Sequence, residues 1–497
     1  MEANSRRIVI IGGGIAGLCT AVYAQRHGYQ AEVLEMHDSA GGLATSWHRH
    51  GYIFETCLHW LLGSNPESPF HAQWKEIFDI DRLKFVHREE FVRLERENGQ
   101  YLRIYTDLGL LEKEFLRRAP KEKKEIQDFI LAVRRLSTFA LPDPAKGWIG
   151  NWQAMLKDLP QLPLFHRLSK MTSAQYGERF EDSMLRAFFQ DGDSAKMSAL
   201  ALFFSLAWMH NRDADYPVGG AQAVIRLIVQ NLTSLGGKLR CGAKVVKIVV
   251  EDDIAVGVQL STGELVRGDW IVSAADGHET IYGMLEGRYG DHKINDIYRN
   301  LETFSSYAQV SFGIARDLSN EPGFLIRILD EPFAVDPDSS LSQLSFRIFN
   351  FDPTFAPAGK TAVTCFLPTR NFEYWTHLQQ EDNARYQQEK QRLAKNTLTI
   401  LEKRIPGVSQ AVEVVDVSTP ASVIRYTGNW KGSMEGWLLT PETGYHALPG
   451  TLPGLSRFHM VGQWVMPGGG LPSGLMTARV AISEICKHDQ VSLTVAS

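Results

Sequence analysis

Three glycines spaced G-x-G-x-x-G, Gly12, Gly14 and Gly17, and an acid 23 positions after the first, Glu35, form the residue set best suited to hold a charged ligand. They lie in IVIIGGGIAGLCTAVYAQRHGYQAEVLE, residues 8–35. The β-branched run Ile8 to Ile11 predicts a strand, the helical period from Ile15 to His27 a helix, and Ala31 to Leu34 a second strand. In such a βαβ unit Gly12 permits the tight turn, Gly14 lets backbone approach a diphosphate, and Gly17 lets the helix pack against the strand. Free N–H groups at Ile15 and Ala16, aligned with the helix dipole, suit an anion. Glu35, with Met36 beside it, is placed to accept hydrogen bonds from a ribose diol.

A second stretch with chemistry in it is GGLATSWHRHGYIFETCLHWLLG, Gly41 to Gly63. Its His48, His50, His59 and Cys57 raise three readings: a metal site, a thiol–imidazole pair, or the wall of an apolar pocket. His48 and His50 fall on an expected turn and nothing supplies a firm fourth ligand, so no metal is expected. A strand running on from Gly51 would put Glu55, Cys57 and His59 on one face as a polar ridge. His59 is the candidate for proton handling there, and Cys57 reads as pocket lining.

Three motifs recur in a known arrangement. Gly41-Gly42 follow Glu35 closely. YPVGGAQ, Tyr216 to Gln222, precedes a helix (Ala223 to Leu235) and a strand meander ending in VSAAD. PGGGLPSG, Pro467 to Gly474, opens a helix near the C-terminus. With these motifs the chain resembles the FAD-dependent phytoene desaturase, carotenoid isomerase and retinol saturase-like branch of the amine oxidase-type flavoproteins. The resemblance implies FAD, contacted by Gly41, Gly42 and Leu43, by backbone near Val246, by Ala274, and by Gly462, Gly469, Gly470, Leu471 and Ser473. Leu43 stands where the family often has arginine. No cysteine lies between Gly462 and Gly474, so the flavin is expected to be non-covalent. By proximity to the motifs, Tyr216 and Trp464 join His59 as catalytic candidates; His446 and Met466 come next, and His210 and Tyr445 are weaker. There is no second G-x-G-x-x-G, which leaves the electron acceptor open among oxygen, a quinone, a redox protein or none.

The elements that must position these groups follow from the chain as a whole. With 497 residues, 44% apolar and 22% charged, it can bury several domains' worth of core. A net charge of −5 makes nucleic acid an unsuitable partner. Five scattered cysteines and a start, MEANSRR, without a signal sequence lead to the expectation of a cytoplasmic protein. No apolar run reaches the roughly 18 residues of a spanning helix. The expected fold class is α/β (α+β), a Rossmann-like FAD-binding domain with an inserted mixed sheet-plus-helix substrate domain. Its segments are 1–105, 216–284 and 426–497 for FAD, 106–215 helical, and 285–425 for substrate. The apolar stretches Phe139 to Phe165 and Leu200 to Trp208 read either as core or as a lipid-docking face, with Lys146, Lys157, Arg167 and Lys170 meeting headgroups in peripheral membrane association.

The expected function is FAD-dependent oxidoreduction at carbon–carbon bonds of a long hydrophobic polyene or lipid, by desaturation, saturation or isomerisation. The alternatives are an amine oxidase on the same fold, and a prenyl-binding protein like the Rab GDP-dissociation inhibitors, without flavin chemistry.

Overall fold

A computed structural model describes residues 6–56, 58–139, 158–444 and 448–491. A five-stranded parallel sheet carries the nucleotide motifs. Its strand order is Lys238–Arg240, Gln30–Leu34, Arg7–Ile11, Trp270–Ser273 and Phe458–Met460. Ile8 to Ile11 pair with Ala31 to Leu34 on one side and with Trp270 to Ser273 on the other. The Arg7–Ile11 strand therefore stands where successive connections leave in opposite directions, and a crevice opens there at the carboxyl ends of the strands. One face is covered by the helices Ile15–Arg26, Gly220–Ser234 and Gly470–Asp489, whose Ala21, Ala24, Ala478 and Ala481 are buried in a shared core. The other face is covered by an antiparallel meander, Val245–Glu251, Ile254–Leu260 and Leu265–Arg267, through Ile248, Ala255 and Val258.

A seven-stranded sheet forms the second layer system. Its order is Val412–Ser418, Ser306–Ile314, Thr361–Thr369, Ser339–Ile348, Phe324–Asp336, Glu90–Arg96 and Tyr101–Tyr105. All neighbours are antiparallel except Phe324–Asp336 beside Glu90–Arg96. The strands of 90–105, grouped with the N-terminal nucleotide segment in the sequence, join this sheet instead. Leu94, Leu102 and Ile104 on them are buried against helices of the 108–210 region, which fixes their side. Helices Phe372–Glu381 and Asn383–Arg404 are separate, because the Asp382 carboxylate accepts from Arg385 N and caps a new start.

Helix Ala199–His210 covers the whole stretch Leu200 to Trp208. Leu200, Phe203, Phe204, Leu206 and Ala207 are buried in one cluster with Phe129 and Tyr176. That stretch is core. Lys146 and Lys157 lie outside the described residues, while Arg167 and Lys170 are exposed on and beside helix Leu162–Ser169. Among the described residues no helix is long and apolar enough to cross a membrane.

Candidate functional site

Two helix N-termini converge on the crevice. Helix Ile15–Arg26 starts after Gly14 and helix Gly470–Asp489 after Gly469, each without a side-chain cap and without an acid in its first turn. Their first N–H groups are thus left for another acceptor, and both dipoles favour an anion. The two starts touch: a β-carbon at Gly474 would lie 2.8 Å from Ile15 Cγ2 and 3.1 Å from Ala16 N, and one at Gly462 would lie 3.2 Å from Ala16 Cβ. A β-carbon at Gly17 would stand 1.9 Å from Gly12 O, so only glycine lets the helix begin this close to the strand. Ala274 ends the neighbouring strand against the Gly12 turn, its N–H bonded to Ile11 O at 2.8 Å.

The glycine pair lies alongside. Gly41 donates to Gly13 O at 2.9 Å and pairs with Gly14 as an isolated parallel bridge; Leu43 is half-buried on the same turn. Glu35, 6% exposed, accepts from Gly13 N at 2.6 Å and from His37 N at 2.8 Å, and Met36 beside it is half-buried. From there Gly242 N donates to His37 O and Ala243 N to Glu35 O, which brings the meander to the acid. The pairing of Val245–Glu251 with Ile254–Leu260 shifts register between Val245 and Lys247. Val246, 41% exposed, sits in that irregularity, where a bulged residue is released from the ladder. At the other end Leu471 and Ser473 are buried, and Ser473 Oγ donates to Gly470 O at 2.8 Å. Uncapped starts, glycine-lined walls and a terminal acid fit the diphosphate and ribose of FAD.

A cavity beside the large sheet is lined by Leu58, His59, Arg88, Tyr216, Phe324 and Arg347, with Phe349 and Phe351 behind them. A second, sharing Arg88 and Tyr216, continues past Phe91, Met209 and Asp215. His59 packs on Trp60 at 5.7 Å and Phe324 at 5.8 Å between ring centroids. Burial, then the charges of Arg347 and Arg88, hold it well below 6.5, so the imidazole is neutral. Tyr216 is 1% exposed. Its hydroxyl has no hydrogen-bond partner among the described residues, and burial raises it far above the ordinary phenol value. Arg88 Nη2 donates to His59 O at 3.2 Å, and its guanidinium lies 5.0 Å over Phe351. Burial, followed by the like charge of Arg347, pushes Arg88 down to about 10. Arg347 donates to Leu58 O at 3.1 Å.

The polar ridge expected from alternation past Gly51 does not form. The strand is Tyr52–Glu55 and stops there. Glu55 is instead fully buried, its Oε2 accepting from Ala221 N at 2.8 Å at the start of helix Gly220–Ser234. That helix N-terminus captures the carboxylate and ends the alternation. Burial nonetheless raises Glu55 to about 7. Leu61–Leu62 is a separate strand paired with Ala214–Pro217, which is what carries His59 to Tyr216. Cys57, Tyr445 and His446 lie outside the described residues.

His59 and Tyr216 therefore share one cavity, whereas Trp464 does not line it. Trp464 is 4% exposed, donates its indole N–H to Asn429 Oδ1 at 3.2 Å, and packs with Trp437 and Trp430. Met466 is half-buried on the turn following Gly462. His210 lies at a helix end near Asp107, 3.9 Å away. His48 and His50 are exposed on a hairpin, and among the described residues no group of three or more His, Cys, Asp or Glu is placed to hold a metal.

Sequence reading passed over Arg88, Arg347 and Glu435. Arg347 carried a signal: it interrupts SFRIF, where Phe346 and Ile348 are fully buried, and a charge in such a run asks for a partner. Glu435, raised to about 7 by burial, packs where a β-carbon on Gly469 would stand 2.4 Å from its Cβ. Arg347 acts electrostatically on both Glu55 and Glu435, which links the cavity to the Gly469 turn.

A family model for flavin containing amine oxidoreductase matches residues 15–482. Prolycopene isomerase 1, chloroplastic, from an Oncidium hybrid cultivar is 23% identical over 97% of this chain and 84% of its own length. The neurosporene-forming phytoene desaturase of Cereibacter sphaeroides is 22% identical over 96% and 94%. Among solved structures, an oxidoreductase from Methanosarcina mazei superposes with a TM-score of 0.60 at 17% identity, covering 96% of this chain and all of that one.

Proposed function

Because the chain belongs to the flavin containing amine oxidoreductase family, and is an FAD-dependent oxidoreductase, we propose that it acts on carbon–carbon double bonds of a polyene, by desaturation, saturation or isomerisation. One observation carries the reading: Arg347, which lines an aromatic-walled cavity, acts electrostatically on Glu435, which packs against the Gly469 turn of a glycine-lined crevice between two uncapped helix starts. The relatives named for prolycopene and phytoene support the substrate class.

Gly12, Gly14, Ile15, Ala16, Gly17, Gly41, Gly42, Leu43, Gly462, Gly469, Gly470, Leu471 and Ser473 would line the diphosphate, ribityl and flavin path. Glu35, Met36, Val246 and Ala274 would hold the adenosine end. Bound FAD supplies hydride acceptance or donation. The chain's own work is then to exclude water and to orient one bond of a flexible chain, for which Phe324, Phe349 and Phe351 provide walls. His59, neutral between two arginines, is a hydrogen-bond acceptor on that wall. Tyr216 offers a hydroxyl from strand Ala214–Pro217, paired beside Leu61–Leu62. The exposed Leu159 and Leu162, near Arg167 and Lys170, support peripheral docking to a lipid surface from which such a substrate is drawn.

The test is anaerobic flavin reduction and reoxidation against carotenoids, retinoids, polyunsaturated lipids and amines, with product identification. Spectral change with polyenes and altered double-bond count or geometry is the expected result. A flavin that responds to amines alone overturns it.

A further inference from the structure

A cavity built only for hydrocarbon has no use for cations in its wall, yet two arginines line this one. Arg88 and Arg347 both line it, and the charge of Arg347 disfavours that of Arg88. Among the described residues no carboxylate lies within 4.0 Å of Arg88. Asp215, an acid whose charge acts on Arg88, lines the neighbouring cavity and is paired with His87 Nδ1 at 2.8 Å. Only one Arg88 nitrogen has a hydrogen bond within the described residues, to His59 O. Tyr216, 1% exposed with an unpartnered hydroxyl, lines the same two cavities as Arg88. A buried hydroxyl left unpaired costs stability unless an acceptor arrives, and the half-buried Arg88, lining the same cavities, keeps guanidinium donors in hand. A guanidinium fork beside a phenol is a donor set that a carboxylate satisfies. Besides His59 and Arg347, the remaining lining, Leu58, Phe324, Phe349 and Phe351, is apolar.

Resting on the polyene reading above, we propose that the substrate is a polyene bearing a terminal carboxylate, whose head is bound by Arg88 and the Tyr216 hydroxyl while its chain lies along the aromatic wall.

The test uses the purified flavoprotein and a matched pair, all-trans-retinoic acid and all-trans-retinol, with binding read from perturbation of the flavin spectrum. Retinoic acid is expected to bind at least tenfold more tightly. Arg88→Gln should abolish that preference with flavin content unchanged, Arg88→Lys should restore part of it, and Tyr216→Phe should reduce it. Should Arg88→Gln lose flavin, the Arg88→Lys and Tyr216→Phe comparison decides alone. Equal affinity for acid and alcohol, or a preference that survives these variants, overturns the proposal. Acetate reproducing the whole effect would also overturn it, by showing a simple anion site. Turnover of an uncharged carotene with no binding of the acid rejects the carboxylate while leaving the polyene function standing. A flavin indifferent to every polyene rejects both.

Discussion

Gly14 and Gly17 are two glycines of one motif, and they fail for different reasons when replaced by alanine. At Gly17 the added carbon would stand 1.9 Å from Gly12 O, against about 3.3 Å for an ordinary carbon–oxygen contact. The helix start must therefore retreat by roughly 1.4 Å, a forced overpacking that costs about 1–3 kcal/mol. Alanine's better helix propensity returns at most about 1 kcal/mol of this. At Gly14 the nearest atoms, Gly41 O and Gly42 Cα, are 3.9 Å away, and φ is −73°, which alanine adopts freely. The protein accommodates that carbon, but a diphosphate approaching the backbone does not. Gly17→Ala should lower the melting temperature of the flavin-free protein and weaken FAD. Gly14→Ala should leave the flavin-free melting temperature in place and weaken FAD by about 5- to 150-fold, the affinity equivalent of 1–3 kcal/mol. Thermal melts of the stripped proteins and fluorescence titration with FAD measure both. Wild-type FAD affinity in Gly14→Ala, or an unaltered melt in Gly17→Ala, refutes the assignment of the two roles.

Glu35→Gln sets an amide NH2 against one of two backbone N–H donors, Gly13 or His37, and FAD binding should weaken by about tenfold, a loss of one hydrogen bond to a charged group; unchanged titration would disprove the ribose role. Burial raises Glu55 from 4.5 to about 7, so the folded chain holds a proton that the unfolded chain releases. Its stabilising contribution is full below 4.5 and is lost as pH rises through about 7. Glu55→Gln should accordingly gain melting temperature relative to wild type as pH rises across that window, and a pH-independent difference would sink the argument. His59→Phe should retain flavin and lose less than about tenfold in kcat, because a neutral imidazole flanked by cations is not the proton carrier; a loss of about 10²–10⁴, the scale of general acid–base catalysis, would reinstate it.

The βαβ unit and the glycine-opened helix near the C-terminus were legible because their geometry is local. Glycine at 12, 14 and 17, an acid at 35 and a glycine run before Ser473 each need only their neighbours in sequence to be recognised. The cavity was not, because its members come from distant segments joined by sheet pairing. Alternation put Glu55 beside His59, but the N-terminus of helix Gly220–Ser234 took the carboxylate, and the strand ended there. Trp464 adjoins a flavin motif in sequence, yet its indole is turned to Asn429 within an aromatic cluster.

By itself, then, the sequence determined the dinucleotide unit and the family, since tight turns and helix starts are set over a few residues. Only the tertiary structure decided which side chains line the cavity. Arg88 precedes one strand and Arg347 lies on another of the seven-stranded sheet, and Tyr216 lies on a third strand, outside it. Their meeting around a common cavity depends on register and burial, which no short stretch of chain encodes.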